Sequence, residues 1–454
     1  DGKPGSGKFL MKIDQLKLTN GNFKITDDNT GNKPIDFKEM NGSLKNFIVR
    51  GPNINADITR LSLKDKRGIY IKDLVTSFSM TKTSMDFKPF ALETDESHIK
   101  GTIAMRYTEG DLKYFTEKVN LAVDFRKSKI ATNDLKYFYK EFGANNILYL
   151  NSKASGVLNN LKLENTQISD KFGAEIIGNF ALKNLFVKKN PFRVDAHLNR
   201  FNITRSNAVA LLPNILEKSL PIQLEKLGRI NLSGDVSYQD FYVDVDVETV
   251  TDLGFATANV ELWNVNKKQN ATYKGDLTLE NFDIGSLIEN KKIGTATLAA
   301  NVDGKSFDPE FFNTIIKSHV QQFTFNNYSY KDISIDGNLK LPAYNGILVS
   351  NDPNALLNFN GTLDLSQDKT AVDFKVDIQH LNMNALQIVK DSLGVFKGHF
   401  ELMGIGENLD TFEGTVVAQN ASYTNSKENY TFENLLVTSQ FKENNTRRID
   451  IQSS

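Results

Sequence analysis

Apolar and polar residues alternate along most of this chain. VDVDVE places Val243, Val245 and Val247 on one side and Asp244, Asp246 and Glu248 on the other. AVDFKVDIQ repeats the pattern, with Val372, Phe374, Val376 and Ile378 set against Asp373, Lys375, Asp377 and Gln379. LLNFNGTLDL puts Leu357, Phe359, Leu363 and Leu365 on one side, with Gly361 between them. A strict period of two predicts antiparallel strands with one dry face and one wet face.

Near the start, LKLTNGNFKITDD holds an Asn-Gly pair between two short alternating runs. Such a pair suits a type I′ turn, whose two central positions both need positive φ. That turn predicts Thr19 opposite Asn22, Leu18 opposite Phe23 and Leu16 opposite Ile25, with Leu16, Leu18, Phe23 and Ile25 on one face. It also sets Lys17 against Lys24, a mildly unfavourable like-charge pair. Asn-Gly or Asp-Gly recurs at 20–21, 41–42, 303–304, 336–337, 345–346 and 360–361, so the expectation is a long series of hairpins.

Helical patterns are rare and recur in step with the strands. Four times an alternating strand leads into a short helical pattern that ends at a glycine and is followed by a new strand. The helical stretches are NDLKYFYKEF before Gly143, SNAVALLPNILEKSLPIQLEKL before Gly228, GSLIENKKI before Gly294 and NALQIVKDSL before Gly394. Glycine there fits a left-handed C-cap. A further helix is expected over DPEFFNTIIKSHV, with Asp308 as N-cap and Pro309 at the first helical position. The fold class that follows is mostly β: an elongated, repetitive antiparallel sheet with a few short helices at repeat junctions. Residues 1–454 are read as one continuous β-repeat region, with loose units of about 1–110, 111–195, 196–275, 276–375 and 376–454. Because one such unit cannot cover its own apolar face, neighbouring units must extend the sheet.

Composition excludes several classes. Apolar residues make up 40% and charged residues 24%, the balance of a folded chain. Lys+Arg at 54 against Asp+Glu at 55 leaves a net charge of -1 with no basic block, so nucleic acid is not an expected partner. There is no cysteine, which removes disulfides, thiolate metal sites and a Cys nucleophile. No run of about 18 apolar residues spans a bilayer as a helix. The chain opens on DGKPGSGK, without a signal-peptide pattern, and closes on the alternating RRIDIQSS; both ends are expected to belong to a longer protein.

Candidate chemistry is sparse. GKPGSGKF resembles a phosphate-binding loop, but Phe9 stands where Ser or Thr holds Mg²⁺ and no apolar strand precedes it. The carboxylates Asp244, Asp246 and Glu248 lie about 7 Å apart along a strand rather than curled round one Ca²⁺. His98, His197, His319, His380 and His399 show no metal-ligand spacing. No catalytic residue, metal or cofactor is expected, and an enzyme is not.

Several phrases carry a resemblance: LKLTNGNFKITDD, IKDLVTSFSMTKTSMDFKPFALETDESHIKGTIAMRY, YSYKDISIDGNLKL, and NDPNALLNFNGTLDLSQDKTAVDFKVDIQHLNMNAL. In order and combination they resemble the AsmA-like/TamB family of envelope proteins, of the Bacteroidetes TamB-like type. The resemblance implies a long sheet folded into a lengthwise, β-taco-like groove with an apolar lining. It also implies a periplasmic protein of a Gram-negative bacterium, anchored in the inner membrane by a helix absent from this chain. The partners implied are phospholipid acyl chains and an outer-membrane barrel protein of BamA/TamA-like type. The function implied is phospholipid carriage between the two membranes in support of outer-membrane biogenesis. The alternatives are a scaffold for outer-membrane protein assembly and a closed β-repeat adhesin. The candidate lining is the set of apolar positions named above together with Leu121, Val123, Phe125 and Leu232.

Overall fold

The computed structural model describes residues 9–25, 35–187, 190–219, 222–308, 310–365, 369–388, 394–407, 410–441 and 446–454. The chain divides into two compact units, Asp1–Asp240 and Phe241–Ser454. The first holds β1 (Leu10–Ile25), β2 (Ile35–Arg50), β3 (Asn53–Asp65), the two-residue β4 (Tyr70–Ile71), β5 (Asp73–Met80), β6 (Ser84–Glu93), β7 (His98–Arg106), β8 (Asn120–Ala131), β9 (Ile147–Val157), β10 (Asn160–Asp170), β11 (Glu175–Lys183), β12 (Arg193–Thr204) and β13 (Arg229–Gln239). The second holds β14 (Tyr242–Thr251), β15 (Gly254–Trp263), β16 (Thr272–Asp283), β17 (Ile293–Lys305), β18 (Asn313–Phe325), β19 (Tyr328–Lys340), β20 (Ala343–Asp352), β21 (Ala355–Asp364), β22 (Thr370–Asn382), β23 (Gly394–Gly406), β24 (Glu413–Asn425), β25 (Asn429–Phe441) and β26 (Arg447–Ser453).

Within each unit the pairings are antiparallel and run from each strand to the next in the chain, with β3 meeting both β4 and β5. Among the described residues neither unit pairs its first strand with its last, so each sheet is open. The mostly β, antiparallel architecture read from the alternation is the one the chain adopts.

The turns lie elsewhere than expected. None of the six Asn-Gly or Asp-Gly pairs is a hairpin tip; all six fall inside strands. β1 runs straight through Asn20-Gly21 and pairs along its length with β2, so that Leu16 faces Leu44, Leu18 faces Gly42, Phe23 faces Phe37 and Ile25 faces Ile35. Lys24 meets Asp36 and Lys17 meets Ser43, so the expected Lys17–Lys24 repulsion does not arise. Asn20 does take a positive φ of 50°, but as a bulge residue whose N–H is met by Asn41 Oδ1 at 2.9 Å. An isolated two-stranded hairpin is marginal in water, and the long β1–β2 pairing outweighs it. In the pairs ending at Gly304, Gly337, Gly346 and Gly361, the Asp or Asn is exposed and the glycine continues the inward side of the alternation. True type I′ geometry occurs at Asn326-Asn327, with φ of 48° and 63°, between β18 and β19.

Short helices sit at strand ends: α1 (Phe115–Lys118), α2 (Thr132–Leu135), α3 (Arg205–Leu211), α4 (Pro213–Ser219) and α5 (Ile284–Ile288). Three of the four helical patterns thus yield at least a turn of helix. In the fourth, 383–387 form turns and 389–393 lie outside the described residues, as do the phosphate-loop-like residues 2–8. α3 starts on Thr204, whose hydroxyl accepts from Asn207 N–H at 3.2 Å, and α5 on Asp283, which accepts from Ser286 N–H at 2.9 Å. Of the four expected C-cap glycines only Gly228 is left-handed, at φ 61°. α5 ends on Glu289, at φ 59°, while Gly294 and Gly394 lie in the first residues of β17 and β23. Gly143 serves close approach: a Cβ there would strike the Ala210 carbonyl oxygen.

The helix expected over 308–320 is a correction. From Asn313 onward this stretch is β18; Pro309 lies outside the described residues. Thr314, Ile316, Ser318 and Val320 point to the covered side and Ile315, Lys317 and His319 to water, so the period of two prevails over the helical capping signal.

One device recurs across the sheet. Asn20, Lys127, Asn165 and Asn281 each take a left-handed φ inside a strand, at 50°, 48°, 50° and 46°. Each lies at a bulge, and each bulge leaves an N–H without a ladder partner. A side chain from the neighbouring strand supplies the acceptor: Asn41 for Asn20, Asn151 for Lys127 at 2.7 Å, Asn179 for Asn165 at 2.9 Å and Thr297 for Asn281 at 3.0 Å. Small side chains sit beside this line on the covered face, including Thr76, Ser128, Ser152 and Thr166, all buried. Bulges bend and twist the strands that carry them, and only small groups fit on the inside of a bend.

Candidate functional site

The candidate site is a face rather than a cleft, built from cross-strand register. In the second unit one row passes through every strand: Val245, Val260, Gly275, Val302, Ile316, Gly337, Gly346, Gly361, Phe374, Leu402, Val416, Val437 and Ile451, each the direct partner of the next. Every member is apolar or glycine. The row beside it begins at Val247 and continues through Phe359, Val376 and Phe400. The row on the other flank begins at Val243 and includes Leu363 and Val372. Leu357 and Ile378 face each other one row further on.

Glycines and aromatic rings are set against each other in this lining for a steric reason. Gly337, Gly346 and Gly361 lie side by side on three adjacent strands. The Tyr344 ring reaches over the first two, and Phe374 stands directly against the third. Phe359 lies between those rings, 6.2 Å from Tyr344 and 5.1 Å from Phe374. Removing three side chains lets three rings lie against the backbone.

The first unit has a matching row: Met11, Val49, Ile54, Met80, Met85, Met105, Leu121, Gly156, Leu161, Leu182, Val194 and Tyr238. Four of the chain's seven methionines fall in it. Methionine adapts its shape to what it touches, which suits a surface that meets flexible partners. The next row runs from Phe78 through Phe87, Ile103 and Val123. Another carries Leu16, Leu44, Ile58, Thr76, Phe90, Gly101 and Phe125. Leu232 pairs with Phe201 beyond the bulges. Sequence reading missed the methionines, although SFSMTKTSMDF is nearly a mirror about its turn and places Met80 against Met85 and Phe78 against Phe87.

Most of these lining residues are half-buried; Val247, at 6% exposed, is an exception among the predicted ones. Phe23 at 50% and Leu365 at 49% are exposed, and Leu365 lies past the end of β21. The side chain of Ile25 lies outside what the structure describes. The opposite face is wet and charged. Asp244, Asp246, Glu248, Asp373, Lys375 and Asp377 are exposed. Cross-strand ion pairs bind it: Lys274–Asp303 at 3.4 Å, Lys317–Asp336 at 3.3 Å and Lys375–Glu401 at 2.9 Å. Lys375, and after it His399, hold the Glu401 carboxyl below its usual range.

Among the described residues no cluster of His, Asp and Glu is placed to hold a metal ion, and no helix is long and apolar enough to cross a membrane. Comparison with known protein families, with curated proteins and with solved structures finds no match to this chain.

Proposed function

We propose that the apolar face is a lipid path: it carries phospholipid acyl chains between the inner and outer membranes of a Gram-negative envelope and so supports outer-membrane biogenesis. The observation that carries this reading is the continuous register of apolar and glycine positions across whole open sheets, half-exposed and backed by a charged opposite face. The sequence resemblance to the AsmA-like/TamB family points the same way. In this reading the protein works in the periplasm, tethered to the inner membrane by an anchor helix and meeting an outer-membrane barrel of BamA/TamA-like type.

The energetics explain why the rows must be unbroken. Burying one methylene is worth about 0.8 kcal/mol, so a chain of roughly fifteen methylenes has on the order of 12 kcal/mol at stake. Any polar interruption of the path returns part of that cost, and a lipid would stall there. No residue acts as a catalyst; the face lowers the cost of moving through water.

The test is a pair of photocrosslinkers one residue apart. A crosslinker at Phe374, in the apolar row, is expected to capture lipid in cells, and one at Asp373, on the charged face, is not. Capture at Asp373 without capture at Phe374 would reverse the assignment of the faces, and capture at neither would remove the lipid path.

A further inference from the structure

At the strand ends of the first unit the lining deepens into a cavity of about 210 Å³. Its apolar lining includes Ile71 of β4, Leu92 and its cross-strand partner Ile99, and Leu135 and Phe138, at and just after α2. Ile130 joins the cavity to the rest of the face. It follows Phe125 on β8, and the bulge at Lys127 inserts the extra residue that returns Ser128 and Ile130 to the side on which Leu121, Val123 and Phe125 lie.

The polar groups around it are already paired. Asp134 accepts from the hydroxyls of Thr94, at 2.6 Å, and Ser97. Arg67 lies 3.5 Å from Asp65, with its guanidinium 4.9 Å from the centre of the Phe138 ring. The cavity therefore offers a guest carbon surface and little else. For scale, an apolar cavity of about 150 Å³ stays dry and accepts a benzene-sized guest.

We infer that this cavity binds the methyl-terminal stretch of one unbranched acyl chain, about six to eight carbons long by that scale. The inference rests on the lipid-path reading and adds a place where a chain is held rather than passed along. An unbranched chain fits because the carbon lining is continuous, through Ile130, with the apolar side of β8 that carries Leu121, Val123 and Phe125. The occupant committed to is the acyl tail of a phospholipid.

The test uses the whole chain carrying Trp263→Phe, which removes the single native tryptophan, together with Phe138→Trp as reporter. The probe is 10-bromodecanoic acid, whose bromine sits at the methyl end and quenches indole fluorescence on contact. Saturable quenching is expected, weakened about ten-fold, a loss of about 1.4 kcal/mol, by the cavity-filling Ile99→Phe. Leu135→Phe fills the cavity from the helix side and serves if Ile99→Phe disturbs the sheet. Quenching that rises linearly without saturating, or that neither filling substitution weakens, overturns the inference. If lipid is still captured at Phe374 in that case, the cavity alone is refuted; if it is not, the lipid path falls with it.

Discussion

Val376→Asp is expected to leave the protein folded and to abolish lipid capture along the second unit. Val376 stands between Phe359 and Phe400 in the central rows of the lining. It is only half-buried, so the folded chain loses part of the 1.5–3 kcal/mol that full burial of such a side chain provides, about 1 kcal/mol. The new carboxylate can keep its water while no lipid lies on the face. A passing acyl chain would have to strip that water, and an unpaired carboxylate is among the costliest groups to desolvate. A closed core predicts the reverse order of effects, because a carboxylate sealed between packed sheets would destabilise the fold by several kcal/mol. Urea unfolding and lipid content, measured on one preparation, separate the two. A large stability loss in protein that never carried lipid would favour the closed alternative.

Gly361→Val is expected to be strongly damaging, lowering stability by about 3 kcal/mol. A Cβ at Gly361 would run into the Asp373 carbonyl oxygen and the Phe374 backbone, and the residue holds φ at 148°, where side chains are strained. The β21–β22 pairing must open or the Phe374 ring must leave its place. Gly21 provides the contrast. A Cβ there meets Met40 at 3.6 Å and 3.7 Å, ordinary contacts, so Gly21→Ala is expected to change stability by no more than about 0.5 kcal/mol. The comparison is informative because the two Asn-Gly pairs look alike in the sequence. Thermal or urea denaturation of both variants checks it, and equal effects would contradict the role given to the glycine floor.

That contrast shows where the sequence was readable and where it was not. The period of two around Val243–Val247, Leu357–Leu363 and Val372–Ile378 placed the faces correctly, because alternation is a property of each strand by itself. Turn signals were misread because Asn-Gly satisfies two different demands. At residues 20–21 it serves a bulge, and at residues 360–361 it is one outward and one inward step of a strand. Which demand applies depends on how far the neighbouring strand extends, and that information lies dozens of residues away. The stretch after Asp308 failed in the same way: a local capping signal suggested a helix, and the pairing of β18 with β17 and β19 decided otherwise.

The rows themselves were not legible. Val245 and Ile451 lie in one row only because twelve successive registers add up, and a one-residue slip at any of them would turn a lining residue outward. The cavity under Phe138 was hidden for a related reason. It needs residues of β4, β6, β7, β8 and α2 to come together, whereas NDLKYFYKEF by itself reads only as a short helical stretch. The Met80–Met85–Met105 run could have been found, since the hairpin mirror around TKTS fixes its first pair.

The most direct measurement of the central claim is native mass spectrometry of the whole chain after gentle detergent extraction. A lipid path predicts adducts of phospholipid mass on the wild-type protein and fewer of them on Val376→Asp, whose first unit is unchanged. Wild-type protein that emerges bare from membranes rich in phospholipid, under conditions that keep its sheets intact, would contradict it.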